Sequence, residues 1–122
     1  MRPALFIFAD DDMTSCVYVH ECDDDLAKTM IGRALTSPVS MPIRDFDPLE
    51  FTSVFVRENK SRPYDMVFTG EYDEDADDED IELFYEVRQS PTQPDTLAVV
   101  PIDTTSKDGS IEAWLLKRSY LQ

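Results

Sequence analysis

The chain has 122 residues and a formal net charge of −15, from 26 acids against 11 bases. A single domain over residues 1–122 is expected at this length, and a composition 42% hydrophobic and 11% aromatic is too rich for a wholly disordered acidic tail. The charge argues against direct nucleic-acid binding, which depends on cations displacing phosphate counterions, and it disfavours anionic membrane surfaces for the same reason.

Ala4 to Ala9 is an uninterrupted apolar run, read as a buried strand, with Ser15 to His20 as its hairpin partner across Asp10–Thr14. The run meets Asp10, Asp11 and Asp12 too soon for a secretory signal, and no stretch is long enough to span a bilayer. Cytoplasmic residence is the expectation, that of the host cell if the protein is viral.

Asp23, Asp24 and Asp25 resemble a helix start, and Leu26, Met30, Ile31, Ala34 and Leu35 follow with helical spacing. Acids in the first turn and Arg33 near the end suit the helix dipole. Ser37-Pro38 and Met41-Pro42 break the pattern into a loop. Asp47-Pro48-Leu49-Glu50 reads as a second start, with Asp as N-cap, Pro at the first helical position and Glu completing a capping box. Phe51, Val54 and Phe55 would form its buried stripe, although the β-branched content leaves a strand from Phe51 to Val56 as an alternative.

Tyr64 to Thr69 is a predicted strand closed by Gly70. From Ile81 to Arg88 the chain alternates, with Ile81, Leu83, Tyr85 and Val87 on one face and Glu82, Phe84, Glu86 and Arg88 on the other. Pro91 and Pro94 mark a turn, Thr96 to Val100 is another strand, and Lys107-Asp108-Gly109 is a hairpin signal. Ile111 to Leu116 would return as a strand, with a helix as the alternative. The fold class is α+β: a largely antiparallel sheet with about two helices in one compact domain.

The most distinctive segment runs from 71 to 82. Glu71, Asp73, Glu74, Asp75, Asp77, Asp78, Glu79, Asp80 and Glu82 stand there without one lysine or arginine, so 12 residues hold nine of the 26 acids. Residues 83–122 carry five acids and four bases, so charge is segregated along the chain. As a calcium loop starting at Asp75, the run supplies Asp77, Glu79 and Glu86 at the third, fifth and twelfth positions. Asp80 occupies the sixth, where the sharp turn needs glycine. No metal site is expected. An extended peptide advances about 3.3 Å per residue, close to the roughly 3.4 Å between phosphates along one DNA strand. The run therefore matches the charge density of a nucleic-acid backbone, although such runs also serve simply as solvating segments.

These features define an expected partner-binding surface: the nine carboxylates of the run, with Phe84 as an aromatic anchor beside Glu82 and Glu86. A secondary acidic patch is expected from Asp10, Asp11 and Asp12 together with Asp23, Asp24 and Asp25, as ends of neighbouring elements. The function this implies is a small acidic inhibitor that offers carboxylates to the basic groove of a nucleic-acid-handling protein, of the phage anti-restriction or anti-CRISPR kind. An immunity or antitoxin protein against a basic toxin nuclease is one alternative, and a cation-binding or metal-dependent protein using the Asp clusters is another. No enzymatic activity, cofactor or direct nucleic-acid or membrane contact is expected, and the oligomeric state is open.

Cys16, His20 and Cys22 would share one face of an extended strand, with the cysteines roughly 20 Å apart and beyond disulfide reach. Three ligands without a C-x₂-C knuckle make a poor zinc set, so core thiols and a surface histidine are expected. A single histidine without a suitable Ser or Cys partner gives no nucleophilic site. Ala4 to Asp12 resembles the opening strand and acidic ligands of a response-regulator receiver domain, and Tyr64 to Gly70 its third strand. Thr69 or Gly70 stands where that family has its phosphoacceptor aspartate, and Ser15 to His20 reads as a strand where it has a helix. The resemblance is therefore not adopted.

Overall fold

A computed structural model describes residues 2–60, 66–70, 81–105 and 112–117, with 66–70 described as backbone. Strand β1 (Arg2–Ala9) turns at Asp10–Met13 into β2 (Thr14–Cys22), and helix α1 (Asp24–Leu35) follows. A 3₁₀ turn at Ile43–Asp45 precedes helix α2 (Pro48–Lys60). Then come β3 (Met66–Gly70), β4 (Leu83–Gln89), β5 (Thr96–Asp103) and β6 (Trp114–Lys117). The six strands form one sheet in the order β3-β2-β1-β4-β5-β6. Only β1 and β4, side by side at its centre, run parallel; the other four neighbouring pairs are antiparallel. This is the α+β class the patterning predicts, in one compact domain.

Central placement explains why β1 is apolar without interruption. It is flanked by β2 and β4, and every residue from Ala4 to Ala9 is buried. Its two faces meet different surroundings. Ala4, Phe6 and Phe8 join the main core, formed with Val17, Val19, Tyr85 and Val87 from the sheet and the apolar stripes of both helices. Phe55 centres this core, with its ring 4.9 Å from Phe6 and 5.1 Å from Phe8. On the opposite face Leu5, Ile7 and Cys16 form a smaller cluster with the half-buried Tyr18, Ile81 and Phe84. Fully burying one such side chain stabilises by about 1.5–3 kcal/mol.

The helices start where their caps lie. Asp23 Oδ1 accepts a 2.8 Å bond from the Leu26 amide, and Ala27, Met30, Ile31, Ala34 and Leu35 turn inward at helical spacing. Asp47 Oδ1 accepts from the amides of Leu49 at 2.9 Å and Glu50 at 3.4 Å, and Pro48 opens α2. Phe51, Val54 and Phe55 are its buried stripe, so the strand alternative for this segment is wrong. Buried Asn59 ties the helices together. Its amide donates to the carbonyls of Met30 and Phe55 at 3.1 and 2.9 Å, and its oxygen accepts from Arg33 at 3.2 Å.

Three local readings change. Residues after Pro42 include the 3₁₀ turn, anchored by buried Ile43, where the sequence gives no periodic signal. β6 is a strand, with Trp114 and Leu116 half-buried and Leu115 and Lys117 exposed, so the helical alternative there is also wrong. β2 does not keep strict alternation. Ala4 pairs with Val19 but Arg2 pairs with Cys22, so β2 uses three steps where β1 uses two. A bulge of this kind reverses side-chain facing beyond it. Tyr64, Asp65, Ile111 and the Lys107-Asp108-Gly109 signal lie outside the described residues.

Candidate functional site

Of the predicted partner-binding carboxylates, Glu71, Asp73, Glu74, Asp75, Asp77, Asp78, Glu79 and Asp80 lie outside the described residues. Their flanks are well defined. Gly70 pairs with Cys16, which faces Ile7 toward the turn end of the β1–β2 hairpin. Glu82 sits at the other end of β1, its amide donating to the Pro3 carbonyl at 3.1 Å. Strand rise and spacing put Gly70 and Glu82 roughly 20 Å apart. The Glu82 carbonyl accepts both the amide and the hydroxyl of Thr104 at 2.9 Å, so its backbone is firmly held.

The secondary acidic residues separate into two sites. Asp10–Asp12 form the hairpin turn, whereas Asp23–Asp25 follow the last residue of β2, Cys22, which pairs with Arg2 at the opposite end of β1. The expected single patch is therefore wrong. An antiparallel hairpin carries the two ends of its strands apart by its full length, roughly 25 Å here. Asp23–Asp25 instead share an end with Glu82.

Several of these acids hold structure. Asp10 Oδ1 accepts from the amides of Asp12 and Met13, both at 2.8 Å, and closes the turn. Asp23 caps α1, and Asp24 Oδ1 accepts a 2.8 Å bond from the buried Tyr85 hydroxyl. Burial and that carboxylate together hold the phenol well above its ordinary range. Asp11, Asp12 and Asp25 are exposed.

Several described cations are engaged away from these acids. Among the described residues the ion pairs are Arg2–Asp103 at 2.8 Å, Arg44–Asp95 at 3.0 Å, Arg57–Glu58 at 4.0 Å and Arg88–Glu86 at 2.7 Å. Lys28 lies 4.5 Å from the centre of the Trp114 ring. None of these pairs includes Asp10–Asp12, Glu21 or Asp23–Asp25, so among the described residues no ion pair neutralises either acidic end of the hairpin. The Arg2–Asp103 pair is bidentate, with a second bond at 2.9 Å. Arg2 and the Thr105 hydroxyl and amide hold the Asp103 carboxyl far below the usual carboxylate range.

Phe84 projects to the face away from the helices, half-buried against Leu5, Ile7 and Cys16. Packing in this small cluster explains the one break in the apolar alternation of β4. Ile81, which precedes β4, joins the same cluster, so the expectation that it shares the face of Leu83, Tyr85 and Val87 is wrong. The bulge in β2 also resolves the cysteines: Cys16 belongs to this outer cluster and Cys22 to the main core. Both are buried thiols outside any disulfide and lie on opposite faces, so Cys22 does not share the face of Cys16, Tyr18 and His20 and that part of the expectation is wrong. Burial and neighbouring Asp23 push the Cys22 thiol up to about 12, an unreactive state. His20 is exposed and shares a 3.2 Å hydrogen bond with the Tyr18 hydroxyl. Among the described residues no group of His, Cys, Asp and Glu converges as a metal site.

Sequence patterning misses a cleft of about 380 Å³ at the C-terminal ends of β1 and β4. The chain leaves β1 toward β2 and leaves β4 toward β5, on opposite sides, and the two turns part to open it. Its walls come from three separate stretches of chain. Of its lining, the sequence marks Pro91 and Pro94 as a turn and Asp10 and Asp11 as part of an acidic patch, without bringing the two together.

No family model, characterised protein or solved structure matches this chain. Among the described residues no helix is long and apolar enough to cross a membrane.

Proposed function

We propose that the protein acts by binding, presenting its carboxylates to a basic groove of a nucleic-acid-handling protein in place of the phosphate backbone. The observation that carries this reading is segregation of charge. Nine acids fall in residues 71–82 without a base, and Arg2, Arg44, Arg57 and Arg88 pair with Asp103, Asp95, Glu58 and Glu86, so among the described residues no ion pair falls on the acidic ends of the hairpin. Charge carried only for solubility has no reason to collect in this way, since interspersed signs serve solubility as well. Concentrated negative charge attracts a basic surface and speeds encounter with it. The proposed setting is the cytoplasm of a host cell, with the protein acting as an inhibitor of the anti-restriction or anti-CRISPR kind.

Affinity capture from a host lysate with mass spectrometry tests this directly. The reading expects a nucleic-acid-binding protein, released by duplex DNA or by moderate salt. Capture of a cognate toxin nuclease would instead select the immunity-protein version of the same electrostatics. A complex that survives 1 M salt and leaves the partner's nucleic acid bound would sink both.

A further inference from the structure

We infer that the cleft at the C-terminal ends of β1 and β4 receives an arginine side chain of the partner. This rests on the proposed binding function and adds a specific anchor to it. The cleft is concave and half apolar, with Phe46 from the 3₁₀ turn and Pro91 and Pro94 from the β4–β5 turn supplying its apolar walls. Such walls suit the methylene stem of a long side chain, and the half-buried Phe46 adds aromatic surface to the lining. Asp10 and Asp11, from the β1–β2 turn, line the cleft as well. Asp10 uses Oδ1 for two turn amides, which leaves Oδ2, and the Asp11 side chain is exposed beside it.

Charge selects the occupant. Arg88 also lines the cleft, but its guanidinium is paired with Glu86 at 2.7 Å and adds little net positive charge. The remaining charge is that of the two aspartates, which disfavours an anionic ligand. Guanidinium suits this combination better than ammonium, because its flat fork engages two carboxylate oxygens while its face lies on an aromatic ring. Arginine seated in a pocket is also among the commonest anchors of protein interfaces. The rim is braced by Arg44, whose Nε and Nη2 hold Asp95 Oδ1 at 3.1 and 3.0 Å and link the 3₁₀ turn to the β4–β5 turn.

The test is titration of the ¹⁵N-labelled full chain with acetyl-Gly-Arg-Gly-amide at physiological salt, beside the same peptide carrying citrulline. Expected are saturable shifts of the amides of Asp10–Met13, Phe46 and Ser90–Asp95, and about tenfold weaker binding of citrulline, the equivalent of one charge-assisted hydrogen bond. Asp11→Asn should weaken the arginine peptide similarly without altering the fold, because the Asp11 side chain makes no hydrogen bond among the described residues. Phe46→Leu keeps apolar bulk against Phe51 and should also weaken binding. Shifts that avoid these turns, equal binding of citrulline, or an unaffected Asp11→Asn variant would each overturn the assignment. Failure here with loss of partner capture on neutralising residues 71–82 removes the cleft alone. Seating of the peptide without such loss removes the broader reading.

Discussion

The Tyr85 hydroxyl donates a 2.8 Å hydrogen bond to Asp24 Oδ1 and pins the first turn of α1 to the central strand β4. The Tyr85 ring is fully buried, 5.0 Å from Phe6 and 5.7 Å from Trp114. One bond thus joins the acidic start of α1, through an aromatic core, to the middle of the sheet. It also withdraws Asp24 from the acids available to a partner.

Alkaline stability follows from that burial. The Tyr85 phenol and the Cys22 thiol both ionise at higher pH in the folded protein than in the unfolded chain. Their contributions are complete below the unfolded values, about 8.5 for thiol and about 10 for phenol, and are lost as pH rises past them. Thermal melts should therefore show falling stability above pH about 9. Tyr85→Phe should cost about 0.5–1.5 kcal/mol at neutral pH and flatten the decline above pH about 10. An unchanged slope in that variant would show that the phenol is not the group responsible.

The Arg2–Asp103 pair predicts the acid side. Its carboxyl is depressed in the folded state, so its contribution is present above the unfolded value of about 3.9 and disappears as pH falls below it. With side chains 37% and 33% exposed, the pair is worth about 0.2–1 kcal/mol. Asp103→Asn should be destabilised by that amount at pH 7, with a smaller deficit near pH 2 as the contribution fades toward the depressed folded value. Chemical denaturation at the two pH values checks this, and an equal deficit at both would assign the loss to packing.

Thiol accessibility tests the bulge. Cys16 and Cys22 are both fully buried on opposite faces of the sheet. An aromatic disulfide reagent should titrate neither in the native protein within minutes and both in denaturant. Fast stoichiometric labelling of native Cys22 would contradict its place in the core. Phe55→Ala supplies the energetic counterpart: the cavity left beside Phe6 and Phe8 should cost about 3–5 kcal/mol.

Replacing Asp75, Asp77, Asp78 and Asp80 together by Asn separates binding from folding. Removing like charges should leave the fold intact and hold or raise the melting temperature at low salt. The association rate for the partner should fall steeply while dissociation changes less, because the screening length near 8 Å at physiological salt still permits long-range attraction. Stopped-flow or surface-based kinetics read this. Normal association by the neutralised variant would mean that the run only solvates the chain.

What the sequence determined by itself is what local periodicity and chain stereochemistry control. The Asp23 and Asp47 caps, the helical spacing from Leu26 to Leu35 and the alternation from Leu83 to Val87 each depend on near neighbours, so they could be read in one pass. The acidic bias was equally legible, since composition needs no coordinates. The tertiary structure alone decided how distant segments meet. The parallel pairing of Ala4–Phe8 with Leu83–Val87 joins segments about 80 residues apart, and no local pattern encodes which strand lies beside which. A single extra residue near His20 and Glu21 reversed the facing of Cys22, because strand periodicity is two and one step inverts it. The antiparallel hairpin likewise sent Asp10–Asp12 and Asp23–Asp25 to opposite ends, and the parting of the turns after β1 and β4 opened a cleft between residues from three separate segments. Charge is a property of the chain, but whether charges stand together depends on strand order.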